Sequence, residues 1–202
     1  MTPRINQSDK PRRQCGDCTL CCTLVPVKEI EKKANTKCAM QTFKGCRVYG
    51  TKRMPWGCQV WNCRWLVRDD TDDQARPDRS HLVIDMMPDF VTMNDDLNGI
   101  KVNVPVVQVW IDPKHPDAHK DYDFRNYVSR RGEEGYGVLV RNGNDSATFL
   151  LAPTFFNGDP RAQWVEKVSN LKPESQHSQA EIAKVIGGVE VIHLQSGDAG
   201  GT

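Results

Sequence analysis

Eight cysteines fall within 49 residues, at Cys15, Cys18, Cys21, Cys22, Cys38, Cys46, Cys58 and Cys63, and none occurs in the last 139. Thiols this crowded either pair as disulfides or hold metal. A disulfide framework that staples a fold is spread along the chain, and these cysteines are not. Residues 1–14 are polar and basic and contain no apolar h-region, so no secretory signal is expected and a cytoplasmic location is the default. Thiols stay reduced in that compartment, where clustered cysteines more often ligate metal. All eight are therefore candidate metal ligands.

The spacing narrows the chemistry. Cys15, Cys18 and Cys21 are each separated by two residues, which lets tight turns aim thiolates at one ion or one cluster edge. Three cysteines so spaced, with a distant fourth, suit the corners of a four-iron cube. A structural zinc site more often uses two separate Cys-x2-Cys knuckles, and no second knuckle is present. The balance leans towards an iron–sulfur cluster over zinc. Cys21 and Cys22 are adjacent, and neighbouring side chains diverge on either a strand or a helix. They either feed two sites or divide into one ligand and one packed thiol. Spacing alone does not sort the eight into quartets.

Other chemistry is thin. No nucleophile elbow, P-loop or dinucleotide fingerprint appears, so no catalytic or organic-cofactor residues are assigned and enzymatic activity is left open. A cysteine nucleophile is disfavoured because metal would occupy the thiolates. His115 and His119 are four apart, but Pro113 and Pro116 oppose a helix there. These two, with His81, His177 and His193, read as surface residues. Trp56, Trp61 and Trp65 read as the small apolar core around the metal.

Charge is uneven. Residues 1–68 carry 14 lysines and arginines against 4 aspartates and glutamates, a formal +10 against −9 for the remainder. Eight thiolates with two dipositive centres would reduce that excess to about +6, since metal binding requires deprotonated ligands. Much of the basic charge then balances sulfur, which weighs against a nucleic-acid partner. No apolar run approaches the ~20 residues of a membrane helix. No particular partner is implied, although a protein partner is compatible with the composition.

These ligands must be positioned by elements of an α+β chain. Residues 1–14 read as a tail and 15–68 as a cysteine-rich, metal-organised module. Residues 80–195 read as an α+β region with a mostly antiparallel sheet and a few helices, continuous with the module or separate from it, and 196–202 as a second tail. Within the module, Val27 to Ala34 suggests a short helix. The aspartate-rich stretch from Asp69 to Asp78 reads as a solvated connecting loop, because it lacks the spacing of a calcium loop. Strands are expected at His81–Met86, at Phe90–Met93 paired with Ile100–Val104, and at Val106–Ile111, with Pro105 breaking or bulging the run. A hairpin joins Tyr136–Arg141 to Ala147–Leu151. Helices are expected over Asp121–Arg131, with Phe124, Tyr127, Val128 and Arg131 on one face, and from a capping box at Ser178 and Glu181 to Gly187-Gly188.

The run Cys15-Gly16-Asp17-Cys18-Thr19-Leu20-Cys21-Cys22 resembles the signature of the bacterial CxxCxxCC cysteine-cluster family, described as zinc- or iron-chelating. Gly45-Cys46-Arg47-Val48-Tyr49, then Pro55-Trp56-Gly57-Cys58, then Cys63 continue the resemblance, which covers about a quarter of the chain. Met54 separates Arg53 from Pro55 where the family usually has an Arg-Pro pair. The resemblance implies metal chelation and no assigned reaction. A related cluster accompanies the methyl-transfer chemistry of flagellin lysine methylases. The leading expectation is a metal-binding protein with an iron–sulfur cluster or zinc. The alternative is a zinc-stapled module that binds protein or nucleic acid without redox activity.

Overall fold

The computed structural model describes residues 13–95, 100–143, 146–151, 165–169 and 190–192. Its centre is a long hairpin, β3 (Leu82–Asp95) against β4 (Ile100–Ile111). Strand residues alternate between faces. Leu82, Ile84, Val107, Val109 and Ile111 therefore line one side of the hairpin, and Val83 and Trp110 the other. The two β3 segments expected from the sequence form one strand. Pro105 neither breaks nor bulges β4: it pairs with Phe90, and the irregularity lies opposite, in β3 between Met86 and Phe90. Proline removes one donor but keeps φ in the extended range, so the strand continues and its partner absorbs the mismatch.

From β4 the chain crosses through helix α5 (Tyr122–Glu133) to β5 (Gly137–Asn142), which lies parallel to β4. The Asp121 carboxylate caps the helix by accepting from the amides of Asp123 and Phe124 at 2.9 and 3.4 Å. Phe124, Tyr127 and Val128 on its inner face pack on the Leu82 side of the sheet. Strand β6 (Ser146–Leu151) returns antiparallel to β5 as the expected hairpin. With β7 (Val165–Ser169) and β8 (Glu190–Ile192) the sheet is six-stranded, in the order β7-β6-β5-β4-β3-β8. Its pairings are antiparallel except β4–β5, so the fold is α+β. The helix expected after Ser178 and both expected tails except Arg13 and Gln14 lie outside the described residues.

The cysteine segment covers the other face of the sheet. It comprises α1 (Leu20–Leu24), a small ladder of β1 (Gln41–Thr42) with β2 (Gly45–Cys46), α2 (Trp56–Val60) and α3 (Arg64–Val67). Leu24, Ala34, Cys63 and Leu66 pack on Val83 and Trp110. The helix expected over Val27–Ala34 is only a 3₁₀ turn, Lys28–Ile30. Glu31 turns left-handed at φ 50°, and a Val27–Lys32 bridge closes the loop.

The aspartate-rich stretch after α3 forms a 3₁₀ turn at Asp69–Thr71 and then α4 (Pro77–Ser80). It is anchored on both sides. Asp70 accepts from Arg64 of α3 and Arg131 of α5, each at 2.7 Å, and the Gln74 amide donates to the Asp123 carbonyl at 3.0 Å. Thr71 is fully buried. Arg13 also reaches this corner, where it bonds to the Trp65 carbonyl and pairs with Asp72.

Candidate metal centre

Cys15, Gly16, Asp17 and Cys18 form the first turn, closed by the Cys18 amide donating to the Cys15 carbonyl at 3.0 Å. Gly16 sits at φ +57°, a conformation that favours glycine, and the Arg76 guanidinium lies 3.0 Å from where a Cβ would be, so a larger residue would also have to shift Arg76. Arg76 fixes the turn from outside. It donates to the Cys15 carbonyl at 3.3 Å and pairs with Asp17 at 2.7 Å and with Asp78 at 2.6 Å. Cys21 follows in α1, and Cys63 arrives from the turn before α3.

Cys15, Cys18, Cys21 and Cys63 wall one small cavity with Trp65 and Pro77. This is the three-plus-one set that the spacing suggested. The cavity measures about 10 Å³, at most one water. Burial, with repulsion from Cys15 and Cys18, pushes Cys63 up to about 12. Burial also raises Cys15 and Cys18, while the hydrogen bond to Cys22 raises Cys21 further. Neutral thiols are favoured until a cation compensates them.

The other four cysteines gather around the small ladder. The Cys38 amide donates to the Cys22 carbonyl at 3.1 Å, Cys46 lies in β2, and Cys58 lies in α2. Burial, followed by repulsion from Cys22 and Cys38 with a contribution from Cys46, raises Cys58 to about 11. The Met40 amide donates to the Cys38 sulfur at 3.4 Å. Adjacent Cys21 and Cys22 hydrogen-bond to each other, and Cys22 lies between the two groups, acting on both Cys15 and Cys58.

Lys32 is a buried cation beside the second cysteine group that sequence reasoning did not single out. Only 9% of it is exposed, and its ammonium donates to the carbonyls of Thr23, Val25 and Lys33 at 3.1, 2.6 and 3.2 Å. It thereby caps the end of α1. Burial lowers its pKa, while the negative charge that Cys38, Cys22, Cys21 and Cys58 can carry pulls it back up. In turn it lowers Cys22, after the Cys21 hydrogen bond. Nothing in its sequence context distinguishes Lys32 from the neighbouring lysines.

All eight cysteines are free thiols. Among the described residues, no three of their sulfurs lie mutually within 4.8 Å; the one ligand group that close is His81, Asp112 and His115. The sequence had assigned His81 and His115 to the surface and had not singled out Asp112. His119 turns away and contacts the Pro116 carbonyl at 3.0 Å, while His177 and His193 lie outside the described residues. Trp61 and Trp65 pack around the first cysteine group as expected, but Trp56 is 69% exposed. Among the described residues no helix is long and apolar enough to cross a membrane. No protein-family model, curated protein or solved structure matches the chain.

Proposed function

We propose that this chain is a thiolate metalloprotein with two four-cysteine sites, Cys15/Cys18/Cys21/Cys63 and Cys22/Cys38/Cys46/Cys58, and that the first takes an iron–sulfur cluster. The observation that carries the reading is the cavity walled by the three closely spaced cysteines and the distant Cys63. Amide donors support it: the Leu20 and Leu66 amides face the Cys18 and Cys63 sulfurs, as anionic thiolates on a cluster require. The Cys15-x2-Cys18-x2-Cys21 spacing with a distant fourth cysteine favours a polynuclear centre, and loading a cluster would spread the thiols around the small cavity. The motif-level likeness to the CxxCxxCC family belongs to this same proposal.

A zinc-stapled binding module is the second reading. Phe43, Tyr49 and Trp56 favour it, because these aromatics near the second cysteine group are 84%, 61% and 69% exposed. Exposed aromatics beside a basic segment suit a protein or nucleic-acid surface.

Metal analysis with acid-labile sulfide and a visible spectrum, on protein purified without air, tests both. Iron with sulfide supports the first reading, and zinc without sulfide supports the second. Protein carrying neither at near-stoichiometric levels would remove the thiolate-site assignment itself.

A further inference from the structure

Outside the cysteine groups, the fold brings two imidazoles and a carboxylate to one point at the end of the β3–β4 hairpin. We propose that His81, Asp112 and His115 form a separate binding site for a divalent transition-metal ion. Their ligand atoms all lie within 4.8 Å of one another. The rings of His81 and His115 stack with centroids 3.4 Å apart and planes 8° from parallel; adjacent ligands on one ion splay further apart than this, so binding would part the two rings.

Backbone hydrogen bonds hold all three positions. The Asp112 amide donates to the His81 carbonyl at 3.0 Å, extending the hairpin register by one pair. The His115 amide donates to the Asp112 carbonyl at 2.8 Å, and the Lys114 amide to the Asp112 carboxylate at 3.0 Å, so the turn folds His115 back towards the strand end. His81 is left-handed, at φ 59°, a strained conformation for a non-glycine residue that recurs at functional sites.

Two imidazoles and one carboxylate select borderline divalent ions such as zinc or ferrous iron over magnesium or calcium, which prefer all-oxygen shells. Three protein ligands leave coordination positions open. His81 and Asp112 line a cleft of about 270 Å³, with Asp17, Thr19, Thr23 and Lys114 on its other walls. The cleft has room for water or another oxygen donor on the ion. Because Asp17 and Thr19 lie within the cysteine motif, this site would sit beside the first cysteine group while using different ligands.

Cobalt(II) added to the as-purified full chain tests the proposal. The expected result is one extra equivalent whose spectrum lacks sulfur-to-cobalt charge transfer. In His115→Ala, and in His81→Asn, which keeps a residue tolerant of the left-handed conformation, that equivalent should weaken by at least the roughly 10–100-fold that loss of an outer-shell partner costs. His119→Ala should leave it unchanged. His115 is exposed, so its variant should fold, as a metal-free melting curve would verify. The proposal is overturned if wild type takes up no such equivalent, or if the two ligand variants bind it as tightly as wild type does.

Discussion

At the residue scale, two buried charges on the cysteine side of the sheet carry opposite lessons. Lys32 is held by three carbonyls and lies beside the second thiol group. Lys32→Met would leave those acceptors without a charged donor, at about 2–3 kcal/mol, and would remove the cation that stabilises thiolates there. Urea denaturation should show the loss, and metal analysis should show a reduced content at the second site. Asp85 is the reverse case. Burial raises its carboxyl to about 6, against the pull of the Trp61 indole donating at 2.6 Å, the Met86 amide and Arg141. A folded-state pKa above the unfolded 3.8 means that its contribution to stability is full below about pH 4 and is lost as pH rises through 6. The shift of roughly two units corresponds to about 3 kcal/mol. Asp85→Asn should therefore gain on wild type by up to about that amount between pH 4 and 7. A stability difference that stays flat with pH would contradict this assignment.

At the element scale, the fold was most legible where periodicity was strong. Phe124, Tyr127, Val128 and Arg131 announced α5, and valine-rich apolar runs announced β4 and β5. Pro105 misled because its local effect is plain in sequence, whereas a partner strand that absorbs it is not. The aspartates after α3 misled for a similar reason. Run as Asp69-Asp70-Thr71-Asp72-Asp73 they look solvated, yet Asp70 is buried between two arginines distant in sequence from each other. Its side chain is only 13% exposed, with those of Arg64 and Arg131 at 9% and 8%. Asp70→Ala would leave the buried Arg64 guanidinium without its carboxylate and Arg131 with only Glu134, a change that typically costs about 3–5 kcal/mol. The expected outcome is a large fall in melting temperature. A double variant that also replaces Arg64 with Met should recover part of it. Likewise the eight cysteines stood out as candidate ligands, but how they gather in space did not, since that depends on Cys63 being carried back to the first turn by packing on Val83 and Trp110.

At the scale of the whole molecule, the two faces of the sheet are held by different forces. The α5 face closes on an apolar layer that includes Leu82, Val109 and Tyr127. The opposite face is closed by short helices of 4 or 5 residues and by thiols that repel once ionised. Helices this short have little stability of their own, so metal coordination would supply what their packing lacks. Two consequences can be measured together. Because Cys58 and Cys63 hold their protons up to about 11 and 12, metal must displace them. Binding should therefore release protons and tighten as pH rises from 6 to 8, which calorimetry in buffers of different ionisation enthalpy reads directly. Chelation should remove hydrogen-exchange protection from residues 15–66 while amides of β4, β5 and α5 retain theirs. A uniform loss would mean that the sheet depends on the cysteine layer, and no loss would mean that apolar packing on Val83 and Trp110 holds that layer without metal.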